Sequence, residues 1–159
     1  MKENIYLNGK KWNGKGYDNE GNIKLEIKNG IGKGKEYDEF GRIIFEGEYL
    51  NGERNGKGKE YDDFGRIIFE GEYLNGERNG KGKEYSKLGD FIFEGEYLNG
   101  ERWNGKGKEY NVHFKTIFEG EYLNGERWRG KEKEYDEYGK LIFERVLLNR
   151  KRKYSDDNK

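Results

Sequence analysis

The amino-acid sequence predicts an all-β fold: an elongated, single-layer antiparallel meander of repeated β-hairpins, about six units followed by a C-terminal cap. Three observations predict it. A near-identical segment returns every 24 or 25 residues, the residues within it alternate in polarity, and an Asn-Gly dipeptide stands at the same place in each copy.

The repeat is plainest at Phe45 to Tyr61 (FEGEYLNGERNGKGKEY), which recurs unchanged at Phe69 to Tyr85. It returns with one extra residue at Phe93 to Tyr110 (FEGEYLNGERWNGKGKEY) and at Phe118 to Tyr135 (FEGEYLNGERWRGKEKEY). Two shortened copies precede these, so the units lie near 5–24, 25–44, 45–68, 69–92, 93–117 and 118–142. Phe143-Glu144 begins another copy that breaks off. Residues 1–144 therefore form the array, and 145–159 a basic cap or tail, with ends that depart from the consensus as repeat arrays require.

Within a unit, IFEGEYL alternates: Phe45, Gly47 and Tyr49 share one face, and Ile44, Glu46, Glu48 and Leu50 the other. Asn51-Gly52 follows, as do Asn75-Gly76, Asn99-Gly100 and Asn124-Gly125, the signature of a type I′ hairpin turn. A turn centred on Asn51-Gly52 pairs Glu46 with Lys57, Glu48 with Asn55, Gly47 with Gly56 and Phe45 with Gly58. Opposite charges then meet on one face and aromatics meet glycines on the other, with Gly56 near Tyr49. A second turn, Asp62-Asp63-Phe64-Gly65, links one hairpin to the next. A dozen strands at about 4.8 Å each extend roughly 55–60 Å, and rings lying over glycines replace a missing second layer.

Composition narrows the function. The chain has 159 residues with 32 basic and 32 acidic side chains, and this balance argues against a general nucleic-acid binder. It is 40% charged, yet its 25 aromatics and lack of proline argue against disorder. With no Cys and one His, thiol chemistry and a His-rich metal site within one chain are excluded. No membrane-length apolar run or secretory leader is visible. Gly100 to Lys106 (GERWNGK) and Gly9 to Lys15 (GKKWNGK) approach a P-loop, but Gly follows each where Ser or Thr is needed, and neither opens a helix. Glu46 and Glu48 read as cross-strand ion-pair partners rather than acid–base catalysts, the Asp-rich turns lack calcium-loop spacing, and His113 reads as an incidental turn residue.

These residues resemble the MORN repeat (membrane occupation and recognition nexus): aromatic, x-G-x, aromatic, an N-G turn and a closing G-x-G. Here that is Phe45-Glu46-Gly47-Glu48-Tyr49, Asn51-Gly52 and Gly56-Lys57-Gly58, recurring at Phe69, Phe93 and Phe118. The sequence departs from the family in its choice of Phe and Tyr, in the extra residue at Trp103 and Trp128, and in Gly130-Lys131-Glu132. The resemblance implies an elongated twisted sheet used for protein–protein contact and assembly, with members that dimerise, cradle peptides, associate with membranes or accompany lipid-kinase domains.

The sequence thus predicts a non-enzymatic scaffold with a protein partner, no cofactor, no metal, no catalytic residue, no nucleic acid and no small-molecule substrate. Contact is expected along an exposed aromatic face through Tyr49, Tyr73, Tyr97 and Tyr122, with Trp12, Trp103 and Trp128 as anchors. Self-association through that face or the sheet edges is a further expectation. The alternative is a peripheral membrane module holding anionic phospholipid through Arg145, Arg150, Lys151, Arg152 and Lys153. From Arg145 onward the chain is net +4 and the remainder net −4. In the same segment Val146, Leu147 and Leu148 are expected to cap the last hairpin. A third alternative is an accessory region of a larger enzyme such as a lipid kinase. The expected location is cytoplasmic, beside membrane or cytoskeleton.

Overall fold

The structure, a computed structural model, describes residues 3–7, 10–17, 23–111, 113 and 115–148. Among these, thirteen strands lie in one antiparallel sheet in strict sequence order. They are β1 (Glu3–Leu7), β2 (Lys10–Tyr17), β3 (Ile23–Lys28), β4 (Ile31–Tyr37), β5 (Ile43–Leu50), β6 (Glu53–Tyr61) and β7 (Ile67–Leu74). There follow β8 (Glu77–Tyr85), β9 (Phe91–Leu98), β10 (Glu101–Tyr110), β11 (Thr116–Leu123), β12 (Glu126–Tyr135) and β13 (Leu141–Leu148). The predicted meander of hairpins is the fold.

The Asn-Gly turns form as the dipeptide dictates. Asn51 has φ 53° and Gly52 φ 76°, and the other four described Asn-Gly turns repeat this left-handed pair. The turns also tie successive hairpins together. The Gly76 N–H donates to the Arg54 carbonyl at 2.9 Å, Gly100 to Arg78 at 2.9 Å, and Gly125 to Trp103 at 2.9 Å. A second set of turns runs along the opposite margin of the sheet, where the Asp62 carboxylate accepts from the Phe64 and Arg66 N–H groups, each at 2.9 Å.

The hairpin register corrects the expected one. Next to the turn, Leu50 faces Glu53 and Tyr49 faces Arg54, as the turn geometry requires. Beyond it, Gly47 faces Gly58, Glu46 faces Lys59 and Phe45 faces Glu60, a slip of two residues. Asn55, Gly56 and Lys57 bulge opposite Glu48, with Gly56 at φ 82°. The Glu48 carboxylate accepts the Lys57 N–H at 2.9 Å, satisfying a donor that the bulge removes from the ladder. Gly56 therefore lies against Glu48, not against Tyr49. In the hairpins carrying Trp12, Trp103 and Trp128, the tryptophan is itself a one-residue bulge. There the expected glycine pairing does occur: Gly95 faces Gly105 and Phe93 faces Gly107.

The core occupies one face. Phe45, Phe69, Phe93 and Phe118 are 0% exposed, and with the four ladder tyrosines and Ile27 they make up the buried apolar cluster. Each Phe ring covers glycine backbone. A Cβ on Gly58 would stand 2.5 Å from the Phe45 Cζ, and one on Gly82 2.6 Å from the Phe69 Cζ.

Candidate functional site

The aromatic face is a closed structure rather than an open contact surface. Phe45 meets Tyr73 edge to face with centroids 5.1 Å apart, Phe69 meets Tyr97 at 5.0 Å and Phe93 meets Tyr122 at 5.4 Å. Over this ladder lies a layer of guanidinium and carboxylate groups. The Arg54 guanidinium stands 4.1 Å above the Phe45 ring and Arg78 4.1 Å above Phe69, with Arg102 and Arg127 placed likewise over Phe93 and Phe118. Each arginine bonds a carboxylate of the preceding unit: Arg54 to Glu36 at 2.6 Å, Arg102 to Glu84 at 2.9 Å and Arg127 to Glu109 at 2.5 Å. The same carboxylates accept the tyrosine hydroxyls: Tyr49 to Glu36 at 2.7 Å, Tyr73 to Glu60 at 2.7 Å and Tyr122 to Glu109 at 2.6 Å.

The expected exposure of the tyrosine ladder is therefore overturned. Tyr49, Tyr73, Tyr97 and Tyr122 are 4%, 3%, 3% and 8% exposed, because the arginine–glutamate layer covers them. Burial, followed by the Glu60 charge, pushes the Tyr73 phenol far above its ordinary range, and burial raises Tyr122 to about 12. Burial works to raise Glu60 as well, but the hydrogen bond and charge of Arg78 outweigh it and hold the carboxyl below its usual value. Sequence reasoning missed this layer. Its signal was the Arg of each N-G-E-R and the Glu of each K-E-Y, which recur as faithfully as the aromatics.

Trp12, Trp103 and Trp128 are half-buried. The six-membered ring of Trp103 lies 3.6 Å from where a Cβ on Gly125 would stand, so it wedges against the turn of the next hairpin. Asn104, which follows it, accepts the Asn124 N–H of the same turn at 3.0 Å.

On the opposite face, Glu-bearing first strands alternate with Lys-bearing second strands, as the sequence predicts. A groove of about 740 Å³ crosses β4 to β9 there. Its floor is Gly47, Gly58, Gly71, Gly82 and Gly95, and its walls are two rows of Glu and Lys side chains. The row nearer the connecting turns is closed by ion pairs: Lys35–Glu46 at 3.3 Å, Lys59–Glu70 at 3.5 Å and Lys83–Glu94 at 3.1 Å.

Along the connecting-turn margin, four apolar side chains among the described residues stand in solvent. Phe40, Phe64, Leu88 and Tyr138 are 74%, 82%, 69% and 87% exposed, each at the third position of its turn. Sequence reasoning placed Phe64 in a linking turn and gave none of the four a role. The signal was a large apolar residue in a turn whose hydrogen bonds do not require one.

At the C-terminal edge, only Leu147 of the expected Val-Leu-Leu cap packs on the core, while Val146 and Leu148 are exposed. Alternation forces this outcome, since Val146 and Leu148 fall on the charged face. Arg145 stands where other units have glycine and bonds Glu132 at 2.5 Å, so it extends the arginine–glutamate layer to the last strand. Arg150, Lys151, Arg152 and Lys153 lie outside the described residues, as do Gly9 and the Asp-bearing segment 18–21, expected as a turn. The near-P-loop at Gly100 to Lys106 is a hairpin turn running into β10. His113 is exposed in its turn.

Fold and surfaces together define a single-sheet β-hairpin repeat protein. No family model matches the chain, and no curated protein matches it. No group of three or more His, Cys, Asp or Glu able to hold a metal ion is present among the described residues.

Proposed function

We propose that the chain is a MORN-like, non-enzymatic repeat scaffold that holds a protein partner along the row of connecting turns. One observation carries this: Phe40, Phe64, Leu88 and Tyr138 are exposed at equivalent positions, where the turn itself does not need them. The Asp38 carboxylate and the backbone already satisfy the Phe40 turn, whatever side chain stands at its tip. Phe40, Phe64 and Leu88 follow one another two strands apart, roughly 9.6 Å from tip to tip, and Tyr138 stands four strands beyond Leu88 on the same margin. The Arg42 and Arg66 guanidinium groups lie 5.0 Å from the Phe40 and Phe64 centroids, and an aromatic beside an arginine is a common interface anchor. The rigid sheet supports this role by fixing the spacing of the tips before a partner arrives.

The test compares the full chain with a variant carrying Phe40→Ser, Phe64→Ser, Leu88→Ser and Tyr138→Ser. Because the tips pack on little, the variant should unfold within about 0.5 kcal/mol of wild type per site. Quantitative capture from native extract should yield partners retained by wild type and lost by the variant. Equal retention by both, or none by either, overturns the proposal. A second copy of the chain is another partner the row admits, and sedimentation of the purified protein distinguishes it.

A further inference from the structure

The two walls of the groove on the charged face are not equivalent. In the wall nearer the Asn-Gly turns, each lysine faces a glutamate across the strands: Lys33 faces Glu48, Lys57 faces Glu72 and Lys81 faces Glu96. The bulges divert those carboxylates. Glu48 accepts the Lys57 N–H at 2.9 Å, Glu72 accepts the Lys81 N–H at 2.9 Å, and Glu96 accepts the Asn104 side-chain amide at 2.9 Å. Lys33 keeps one long ion pair, with Glu48 at 3.8 Å, and Lys57 and Lys81 make no ion pair among the described residues.

We infer that this groove binds an extended acidic polypeptide that carries a carboxylate at every third residue. The three lysines stand two strands apart, about 9.6 Å from one to the next. Three residues of extended chain rise about 10 Å, so carboxylates at i, i+3 and i+6 meet Lys33, Lys57 and Lys81 in turn. The glycine floor leaves depth for a backbone lying across the strands, and the wall of Lys35, Lys59 and Lys83 stays neutral through its own ion pairs. Glu48 and Glu72 stand between the lysines. A uniform polyanion with a phosphate every several ångströms meets them unfavourably, whereas a peptide places uncharged residues there.

This inference rests on the scaffold reading but uses a different surface. Its test is fluorescence anisotropy of the full chain with a labelled peptide bearing Glu at every third residue, against an isomer with Glu at every second residue. Wild type should bind the first peptide in a salt-sensitive way, and Lys57→Gln with Lys81→Gln should weaken it about tenfold. Lys59→Gln with Glu70→Gln, which removes one ion pair of the neutral wall and leaves the net charge unchanged, should change affinity less than about twofold. Absence of binding, equal binding of the two peptides, equal loss in both variants, or tighter binding of single-stranded RNA overturns the inference. The serine variant of the turn row should bind the peptide normally, so failure here leaves the turn-row proposal standing, and failure there leaves this one.

Discussion

The Phe45 ring and Gly58 occupy the same space that a side chain at 58 would need: a Cβ on Gly58 would lie 2.5 Å from Phe45 Cζ and 3.1 Å from Tyr73 Cε2. Gly58→Ala should therefore cost about 3 kcal/mol, since neither ring can leave without opening the buried ladder. Gly65, with φ 75° and open space around its Cβ direction, should lose only about 1 kcal/mol on the same change, from backbone strain alone. Urea unfolding of the two variants measures the difference, and equal midpoints would show that the ring does not hold its place over the glycine.

Arg78 joins two parts of the aromatic face that would otherwise be costly to bury. Its guanidinium lies over Phe69 and bonds Glu60 at 2.5 Å, while Arg54 reaches the same carboxylate only at 3.8 Å. Arg78→Leu keeps some cover on the ring but leaves Glu60 short of its main donor, and should destabilise by about 2 kcal/mol. Arg78→Lys should recover only part of that, because an ammonium cannot lie flat on the ring while donating twice. Chemical unfolding of the pair tests this, and full recovery by lysine would mean that charge alone matters.

How far the fold could be read from the sequence depended on the range of the interaction. The Asn51-Gly52 turn, the alternation of Phe45 to Tyr49 and the 24-residue period are local, and they fixed strands, turns and faces. The register beyond Tyr49 depended on whether Gly56 takes a positive φ and how many residues its bulge absorbs, which two glycines in a row of polar residues do not disclose. The tyrosines were read as exposed because a single layer offers no second sheet. Their cover comes from Arg78 and Glu60, side chains that composition alone places in solvent. Phe64 was visible in the sequence as a turn residue, but its exposure needed the turn's own hydrogen bonds to be seen as sufficient without it.

The carboxylates of the arginine layer make the fold sensitive to acid. Glu60, Glu109 and Glu132 are all held below the ordinary value of 4.5: at Glu109 first by the Arg127 hydrogen bond, at the others by arginines that overcome burial. A depressed carboxyl contributes stability that is present above its unfolded value and is lost as pH falls through its folded one. Stability should accordingly hold from neutral pH to about 5 and fall steeply below about 4.5. Urea midpoints between pH 7 and 3 measure the slope, and Glu60→Gln should flatten it; an unchanged slope would remove Glu60 from the cause. On the alkaline side, the raised phenols of Tyr73 and Tyr97 stay protonated after the unfolded chain ionises. Stability should fall again as pH rises above 10, the ordinary tyrosine value.

Two hairpin registers coexist in one array, and a single residue separates them. With Trp103 present, Gly95 faces Gly105; in the otherwise matching hairpin without tryptophan, Gly71 faces Gly82, the second glycine of the pair. The register between units is the same in both, with Gly107 facing Gly120 as Gly82 faces Gly95. The choice therefore lies within the hairpin, in whether Trp103 or a positive-φ glycine absorbs the bulge. Deleting Trp103 recreates the ERNGKGKEY strand and should shift Gly95 from Gly105 to Gly107 while leaving the Gly107–Gly120 pairing intact. Cross-strand Hα–Hα nuclear Overhauser contacts report the partner of Gly95 directly, since facing residues that exchange no hydrogen bonds bring their Cα atoms to about 4.5 Å. Persistence of the Gly95–Gly105 contact in the deletion variant would place the control of register in the neighbouring hairpins instead, through the Asn124-Gly125 turn that Trp103 now braces.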